Sequence, residues 1–217
     1  MKIIGLVASL FLAFSSIGQK SYYFSEPTSS MGEKVTSIDS KYFGKYSAKS
    51  EARSYVFSEE GITIISTSVS SISREMIRET SKYEVRNNYL FGVLEGDSIP
   101  CFLEGEYYIF GVRNRDILIG IGSNTLLTKI STNRYVIHHF ENGLYTPEIV
   151  RFEGKKLIFE EFNYDLETTA FDHVAEQKSI PAEHFEIVVL TPTKEEFDHL
   201  IQNGSFVESV SYKKKRG

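Results

Sequence analysis

The chain has 217 residues, and its 29 acidic residues outnumber its 24 basic ones, which gives a formal net charge of −5. Nucleic-acid phosphates need basic surfaces for most of their affinity, so this balance excludes nucleic-acid binding. The single cysteine, Cys101, excludes an internal disulfide, and a chain of this length must be held together by its hydrophobic core.

Residues 1–18 have the organisation of a secretory signal peptide. Lys2 is followed by the apolar run Ile3–Phe14 and by the small-residue site Ser16–Gly18, and cleavage is expected before Gln19. The apolar run has about a dozen residues, whereas a membrane-spanning helix needs roughly 20. We therefore expect a bacterial protein that is exported to the periplasm or secreted, with no membrane-spanning segment left after cleavage.

Residues 19–41 are mostly polar and predict an extended lead-in to the folded domain. The aromatic run Tyr22–Phe24 is the exception, and it predicts one edge strand. Residues 42–212 predict a single β-rich domain. Residues 213–217 form a basic tail, which is surrounded by solvent unless it contacts an anionic lipid or polysaccharide surface.

Short runs of β-branched and aromatic residues alternate with turn signals through most of the domain. This pattern predicts an all-β antiparallel meander that forms a barrel or a sandwich. The strongest hairpin signal is the Asn142-Gly143 turn, which joins the predicted strands Tyr135 to Phe140 and Leu144 to Phe152. The other predicted hairpins join Ser54–Ser58 to Ile62–Val69, Tyr107–Val112 to Ile117–Ile121 around the polar residues 113–116, and Leu144–Phe152 to Leu157–Phe162.

One short helix is predicted near the C-terminus, over residues 194–202. Thr193 and Glu196 have the spacing of a capping box, and Asn203-Gly204 is a typical helix end. Phe197, Leu200 and Ile201 make one apolar stripe. The helix is flanked by the predicted strands Glu186–Leu190 and Phe206–Tyr212.

The residues Gly96-Asp97-Ser98-Ile99 follow the apolar run Tyr89–Leu94. They resemble the nucleophile block of the Gly-Asp-Ser-Leu esterase and lipase family, and the resemblance implies that Ser98 is a nucleophile activated by a histidine. The same residues are also typical of a turn between two strands. We prefer the turn because the flanking residues predict strands, whereas the esterase family has an α/β fold.

The residues Gly44-Lys45-Tyr46 resemble the Gly-x-Trp opening of the lipocalin family, with tyrosine in place of tryptophan. A helix near the end of the chain, followed by one strand, is also similar to that family. The resemblance implies a β-barrel that carries a small apolar ligand in its interior.

The candidate metal ligands lack the spacing of a metal site. His138 and His139 are neighbours on a predicted strand and therefore face opposite sides. Asn163, Asp165 and Glu167 alternate like the start of a calcium loop, but the glycine and the late acidic residue of that loop are missing. The apolar neighbours of Cys101 predict a buried, inert thiol. The sequence thus predicts no metal and no other cofactor.

The leading hypothesis is an exported, non-enzymatic protein of the cell envelope that acts as a binding or structural module. The alternative is a lipocalin-like carrier, and the third hypothesis is an esterase with Ser98 as nucleophile. The expected partner is a small apolar ligand or an envelope component. A filled interior favours the first hypothesis, and a sizeable apolar cavity favours the second.

Overall fold

The computed structural model describes residues 19–27, 31–94, 96–163, 171–181 and 185–215, and most of these residues lie in β-strands. The strands are β1 Gln19–Phe24, β2 Glu33–Val35, β3 Gly44–Ser47, β4 Arg53–Ser58, β5 Gly61–Ser73, β6 Glu84–Arg86, β7 Tyr89–Phe91, β8 Ser98–Glu104, β9 Tyr107–Ile119, β10 Leu126–Ser131, β11 Arg134–Glu141, β12 Leu144–Glu153, β13 Lys156–Phe162, β14 Gln177–Pro181, β15 Phe185–Leu190 and β16 Phe206–Lys214. The helices are α1 Arg74–Glu79 and α2 Lys194–Gln202.

The predicted all-β class with one late helix and a final strand is confirmed. The sheet follows the order β14-β15-β1-β12-β13-β16-β3-β4-β5-β9-β8-β7-β6, and a branch leads from β12 through β11 and β10 to β2. All strand pairs are antiparallel except β1 with β15, which is parallel. A parallel pair needs a long connection between its strands, so the alternation of strands and turns did not reveal it.

The Asn-Gly hairpin is confirmed between β11 and β12. Both turn residues have positive φ, 52° for Asn142 and 85° for Gly143, as the tight two-residue turn requires. Gly61, after the turn between β4 and β5, is required for close packing against β9. A Cβ atom at Gly61 would lie 1.9 Å from the carbonyl oxygen of Ile119, so only glycine allows β5 to approach the end of β9.

The predicted hairpin around residues 113–116 is wrong, because these residues lie inside the continuous strand β9. Strand β5 pairs with β9 from Ser73–Tyr107 to Ile62–Ile119, with one irregularity near Thr63. The run Arg-Asn-Arg-Asp contains no glycine for a positive φ, and the ribbon is largely exposed at this point. Polar residues therefore stay in the strand and face solvent.

The largest core cluster fills the space that the curled sheet encloses. Aromatic rings dominate this cluster: Tyr46, Phe57 and Phe152 are fully buried and meet edge to face at centroid distances of 5.4 to 5.8 Å. Ile119 of β9 and Leu127 of β10 belong to the same cluster, although no strand pairing joins β9 to β10 or β2 in the described part of the chain. The described strands thus form an open, curled sheet.

A second cluster lies between the other face of β11 and β12 and a layer made by β1, β15 and α2. Val136 and Ile149 of the sheet pack with Phe24 of β1 and with Phe197 and Leu200 of α2. The structure therefore places the segment predicted as a lead-in in the core, with β1 between β15 and β12. The predicted basic tail also differs, because Lys213 and Lys214 belong to β16.

The far ends of β5 and β9 project from the curled sheet and carry a third, smaller cluster. We call this part the wing; it comprises residues 69–112. Ile72, Leu90, Ile99, Cys101 and Phe110 are its buried residues. The predicted burial of Cys101 is confirmed, and that burial raises the pKa of its thiol. Helix α1, which the sequence analysis did not predict, also lies in the wing.

Helix α2 begins at the predicted capping box. The Thr193 hydroxyl accepts a hydrogen bond from the Glu196 backbone, and the Glu196 carboxylate accepts bonds from the backbones of Thr193 and Ala175. These bonds hold the pKa of the Glu196 carboxyl below its usual range. Neither helix in the described chain has the length and apolar character needed to cross a membrane.

Replacing Thr193 by alanine is expected to lower the free energy of unfolding by about 1 kcal/mol, because the Glu196 N–H then loses its acceptor. Urea unfolding with an unchanged m-value measures the effect. Thr193→Ser keeps the hydroxyl and serves as the control, with a loss of a few tenths of a kcal/mol. Equal losses in the two variants would contradict the role of the cap.

Candidate functional site

Ser98, the candidate nucleophile, begins β8 and pairs with Phe91 of β7. Its side chain is exposed on the wing. The four histidines of the described chain have their contacts elsewhere: His138 with Thr128, His139 with Glu148, and His173 and His199 with each other. The fifth, His184, lies outside the described residues. The described geometry therefore brings no histidine to Ser98, and the esterase stays a hypothesis.

His138 is fully buried in β11, beside Thr128 of β10. The Thr128 hydroxyl donates its proton to the carbonyl oxygen of Met31 at 2.8 Å, so it must accept the bond that links it to His138 Nε2 at 2.9 Å. His138 therefore carries its proton on Nε2, and its buried Nδ1 has no hydrogen-bond partner in the described structure. Burial lowers the pKa of the imidazole to about 3, which keeps it neutral.

The structure does not bring the candidate metal ligands together among the described residues. His139 lies 3.0 Å from the Glu148 carboxylate, on the opposite face of β11 from His138, as the sequence predicted. Among the described side chains, no group of three or more His, Cys, Asp or Glu residues is arranged to hold a metal ion. Of the calcium-like alternation, Asp165 and Glu167 lie outside the described residues.

The run Gly44-Lys45-Tyr46, which resembles a lipocalin opening, contributes Tyr46 to the largest core cluster. Tyr46 is fully buried, and its hydroxyl donates a hydrogen bond to the carbonyl oxygen of Tyr42 at 2.9 Å. Desolvation of the phenol raises its pKa to about 12. The rings of Phe57 and Phe152 fill the neighbouring space, so side chains occupy the interior where a lipocalin-like ligand was expected.

Four lysines from distant parts of the sequence meet on one outer face of the sheet. Lys156 of β13 lies directly opposite Lys213 of β16, and the Lys215 N–H donates to the carbonyl oxygen of Lys45 at 2.8 Å. The side chains of all four are exposed, and strand alternation directs those of Lys213 and Lys215 to the same face. We call Lys45, Lys156, Lys213 and Lys215 the lysine patch.

Acidic residues lie near the lysine patch, since Glu153 is opposite Lys156 and Glu51 lines one depression with Lys45 and Lys215, but no ion pair forms with them. None of the four lysines has an acidic side chain within 4.0 Å in the part of the chain that the structure describes. Only some of the other described lysines have such partners, namely Lys20, Lys34, Lys41 and Lys129. Like charges directly opposite each other destabilise a strand pair, so an anion bound beside Lys156 and Lys213 would reduce their mutual repulsion.

A cleft of about 800 Å³ lies where the curled sheet stays open. Ile117 and Ile119 of β9 line one side, and Val35 of β2 and Leu127 of β10 line the other. Charged side chains also border the cleft: Lys34, Glu59, Glu60 and Arg115. Its volume is within the range of small-molecule sites.

Sequence reasoning noted Lys213 and Lys215 as part of a basic tail, but it found neither the other two lysines of the patch nor the cleft. The lysines are up to 170 positions apart, as Lys45 and Lys215 show, and only the neighbouring positions of β3, β13 and β16 bring them together. The cleft lies where β9 is not paired with β2 or β10 in the part of the chain that the structure describes. No protein-family model matches the chain, and no curated protein or solved structure is significantly similar to it.

Proposed function

We propose that the chain is an exported, non-enzymatic envelope protein that binds an anionic membrane surface through the lysine patch. The single observation that carries the proposal is the meeting of four exposed lysines, without ion-pair partners among the described residues, on one sheet face of a protein whose net charge is −5. Basic residues near an anionic lipid surface contribute about 1 kcal/mol each.

A lipid surface is favoured over a soluble anion because the chain also exposes large apolar side chains. On the wing, Val69 is 78% exposed, Phe102 is 59% exposed and Tyr107 is 53% exposed. Solvated apolar side chains of this size mark interaction surfaces when several lie together. Aromatic and aliphatic groups enter the lipid interface, and lysines bind the headgroups.

The test is sedimentation of the purified protein with phosphatidylcholine vesicles that contain or lack phosphatidylglycerol. The protein is expected to bind only the anionic vesicles, and added salt is expected to release it because exposed charges are screened. The double variant Lys156→Gln with Lys213→Gln should bind about 30-fold more weakly, which corresponds to two lysines at about 1 kcal/mol each.

The matched control removes two exposed lysines outside the patch, Lys178 and Lys194, by the same change to glutamine. This control variant has the same net charge as the patch variant and should bind like the unmodified protein. Equal weakening in the two double variants would show that net charge alone matters and would overturn the proposal. If the protein binds an anionic polysaccharide but not the anionic vesicles, the membrane proposal is overturned and the partner is a polysaccharide.

The lipocalin-like carrier is the second candidate, and the cleft is the observation that favours it. Aromatic side chains fill the space inside the curled sheet. A small apolar ligand would therefore have to bind in the cleft at the opening of the sheet. Binding of a hydrophobic fluorescent dye that responds to Ile117→Ser but not to Lys156→Gln would support this candidate.

A further inference from the structure

We propose that the opening of the sheet is a binding site for an extended polypeptide segment, which adds as a strand to the free edge of β9. The inference rests on the free backbone edge of β9 and not on the proposed membrane contact, although Arg113 lines the same surface depression as Lys45 and Lys215. Its starting point is the pairing of β9, which has β8 beside it only as far as Phe110. Further along, only β5 pairs with it in the described chain.

The direction of the free backbone groups follows from two hydrogen bonds. The Thr67 N–H donates to Ala52, so the odd-numbered residues of β5 bond towards β4. The Arg74 N–H donates to Glu106, so the even-numbered residues bond towards β9. Backbone groups of successive residues in a strand point to opposite sides.

The same alternation applies to β9 through its register with β5. Asn114 lies opposite the even-numbered Ser66, so its backbone groups face β5 and those of its neighbours on β9 point away from β5. The N–H and C=O groups of Arg113, Arg115 and Ile117 therefore face the opening. They span about 13 Å at the rise of a strand, and no described strand lies beside them.

A row of three N–H and C=O pairs at the spacing of a strand matches the hydrogen-bonding groups of another strand. A compact small molecule could not bond to all of them. The cleft beside them gives room for the added side chains, because Ile117 and Ile119 line it together with Val35 and Leu127 of the opposite wall. The added strand would stand between β9 and the branch that ends in β2, and it would cover the apolar gap between them.

Charge indicates which segment fits. Arg113 and Arg115 are exposed on the same face of β9 and have no ion-pair partner among the described residues. Glu59 and Glu60 border the cleft nearer Ile117. The site therefore selects a strand with acidic side chains beside the two arginines and apolar side chains beside the isoleucine.

The probe for the test is a synthetic peptide in which glutamate and valine alternate over one half and threonine and valine over the other. We expect the labelled peptide to bind the full-length protein, as measured by fluorescence anisotropy. The same peptide with N-methyl groups on alternate residues keeps its side chains but loses the donors of one edge, and it should bind at least tenfold more weakly. Equal binding of both peptides would overturn the proposal.

Hydrogen exchange followed by NMR gives a readout that a different binding mode would not produce. In the free protein the amides of Val112 and Asn114 should exchange slowly, and those of Arg113, Arg115 and Ile117 should exchange quickly. Bound peptide should slow exchange at the second set at least tenfold. Two results would contradict strand addition. One is that the peptide slows amide exchange uniformly along β9. The other is that the hydrophobic dye slows amide exchange at the cleft and the peptide does not.

Two variants at position 115 distinguish the contribution of the backbone N–H to peptide binding from that of the side-chain charge. Arg115→Pro removes an N–H that points away from β5, and proline is tolerated at such edge positions, so the fold should persist. We expect it to weaken peptide binding at least tenfold at high salt. Arg115→Gln keeps the N–H and should bind like the unmodified protein at high salt. If both variants bind the peptide equally, the edge is not the site.

Discussion

Replacing Leu200 by alanine is expected to lower the free energy of unfolding by about 2 to 5 kcal/mol. Leu200 is fully buried, and it packs in the second cluster with Phe197 of the same helix and Val136 of the sheet. The substitution removes buried methyl groups and leaves a cavity that the surrounding rings fill only in part. Urea unfolding, with the m-value compared between the proteins, measures the loss.

The control is Gln202, which ends the same helix and is exposed. Gln202→Ala should change the stability by no more than about 0.5 kcal/mol, because it touches neither the core nor the cap. Small and equal effects of the two substitutions would show that α2 does not hold the layer of β1 and β15 on the sheet. The second cluster would then contribute little to folding.

Stability should also fall as the pH is lowered below neutrality, because of His138. The pKa of its imidazole is about 3 in the folded protein and about 6.5 when the chain is unfolded, so the unfolded chain binds the proton first. The contribution of His138 is fully present above pH 6.5 and is lost progressively as the pH falls towards 3. Between pH 7.5 and 5 the loss from this group is about 2 kcal/mol.

The variant His138→Gln isolates that contribution. Glutamine has an amide N–H to donate to the Thr128 hydroxyl, and it does not titrate in this range. We expect unfolding free energies measured at pH 7.5 and 5 to differ by about 2 kcal/mol less in the variant than in the unmodified protein. The same pH dependence in both proteins would mean that His138 takes up its proton in the folded state, contrary to its burial.

Local signals in the sequence identified several elements accurately. The capping box at Thr193 and Glu196 gave helix α2 from its first to its last residue, and the Asn142-Gly143 turn gave the hairpin of β11 and β12. Both signals act within a few residues of the chain, so tertiary structure has little to change. The burial of Cys101 followed from its apolar neighbours in the same way.

Signals that depend on partner strands were missed or misread. The polar residues 113–116 indicated a turn, but pairing with β5 along its whole length keeps β9 extended through them. The aromatic run Tyr22–Phe24 predicted an edge strand, and the edge position is wrong: β1 has a neighbouring strand on each side, and Tyr22 and Phe24 are buried. In both places the energy comes from contacts that are distant in sequence.

By itself, the sequence determined the strand content, the late helix and the absence of disulfides, because turn chemistry, capping and cysteine count are local properties. Tertiary structure decided the surfaces that carry the two proposals. The lysine patch exists because β16 lies between β13 and β3, which brings Lys213 opposite Lys156. The cleft exists because the sheet curls around its aromatic core and, within the described ranges, β9 and β2 are not paired. Strand order and closure depend on the packing of the whole chain, which no local pattern records.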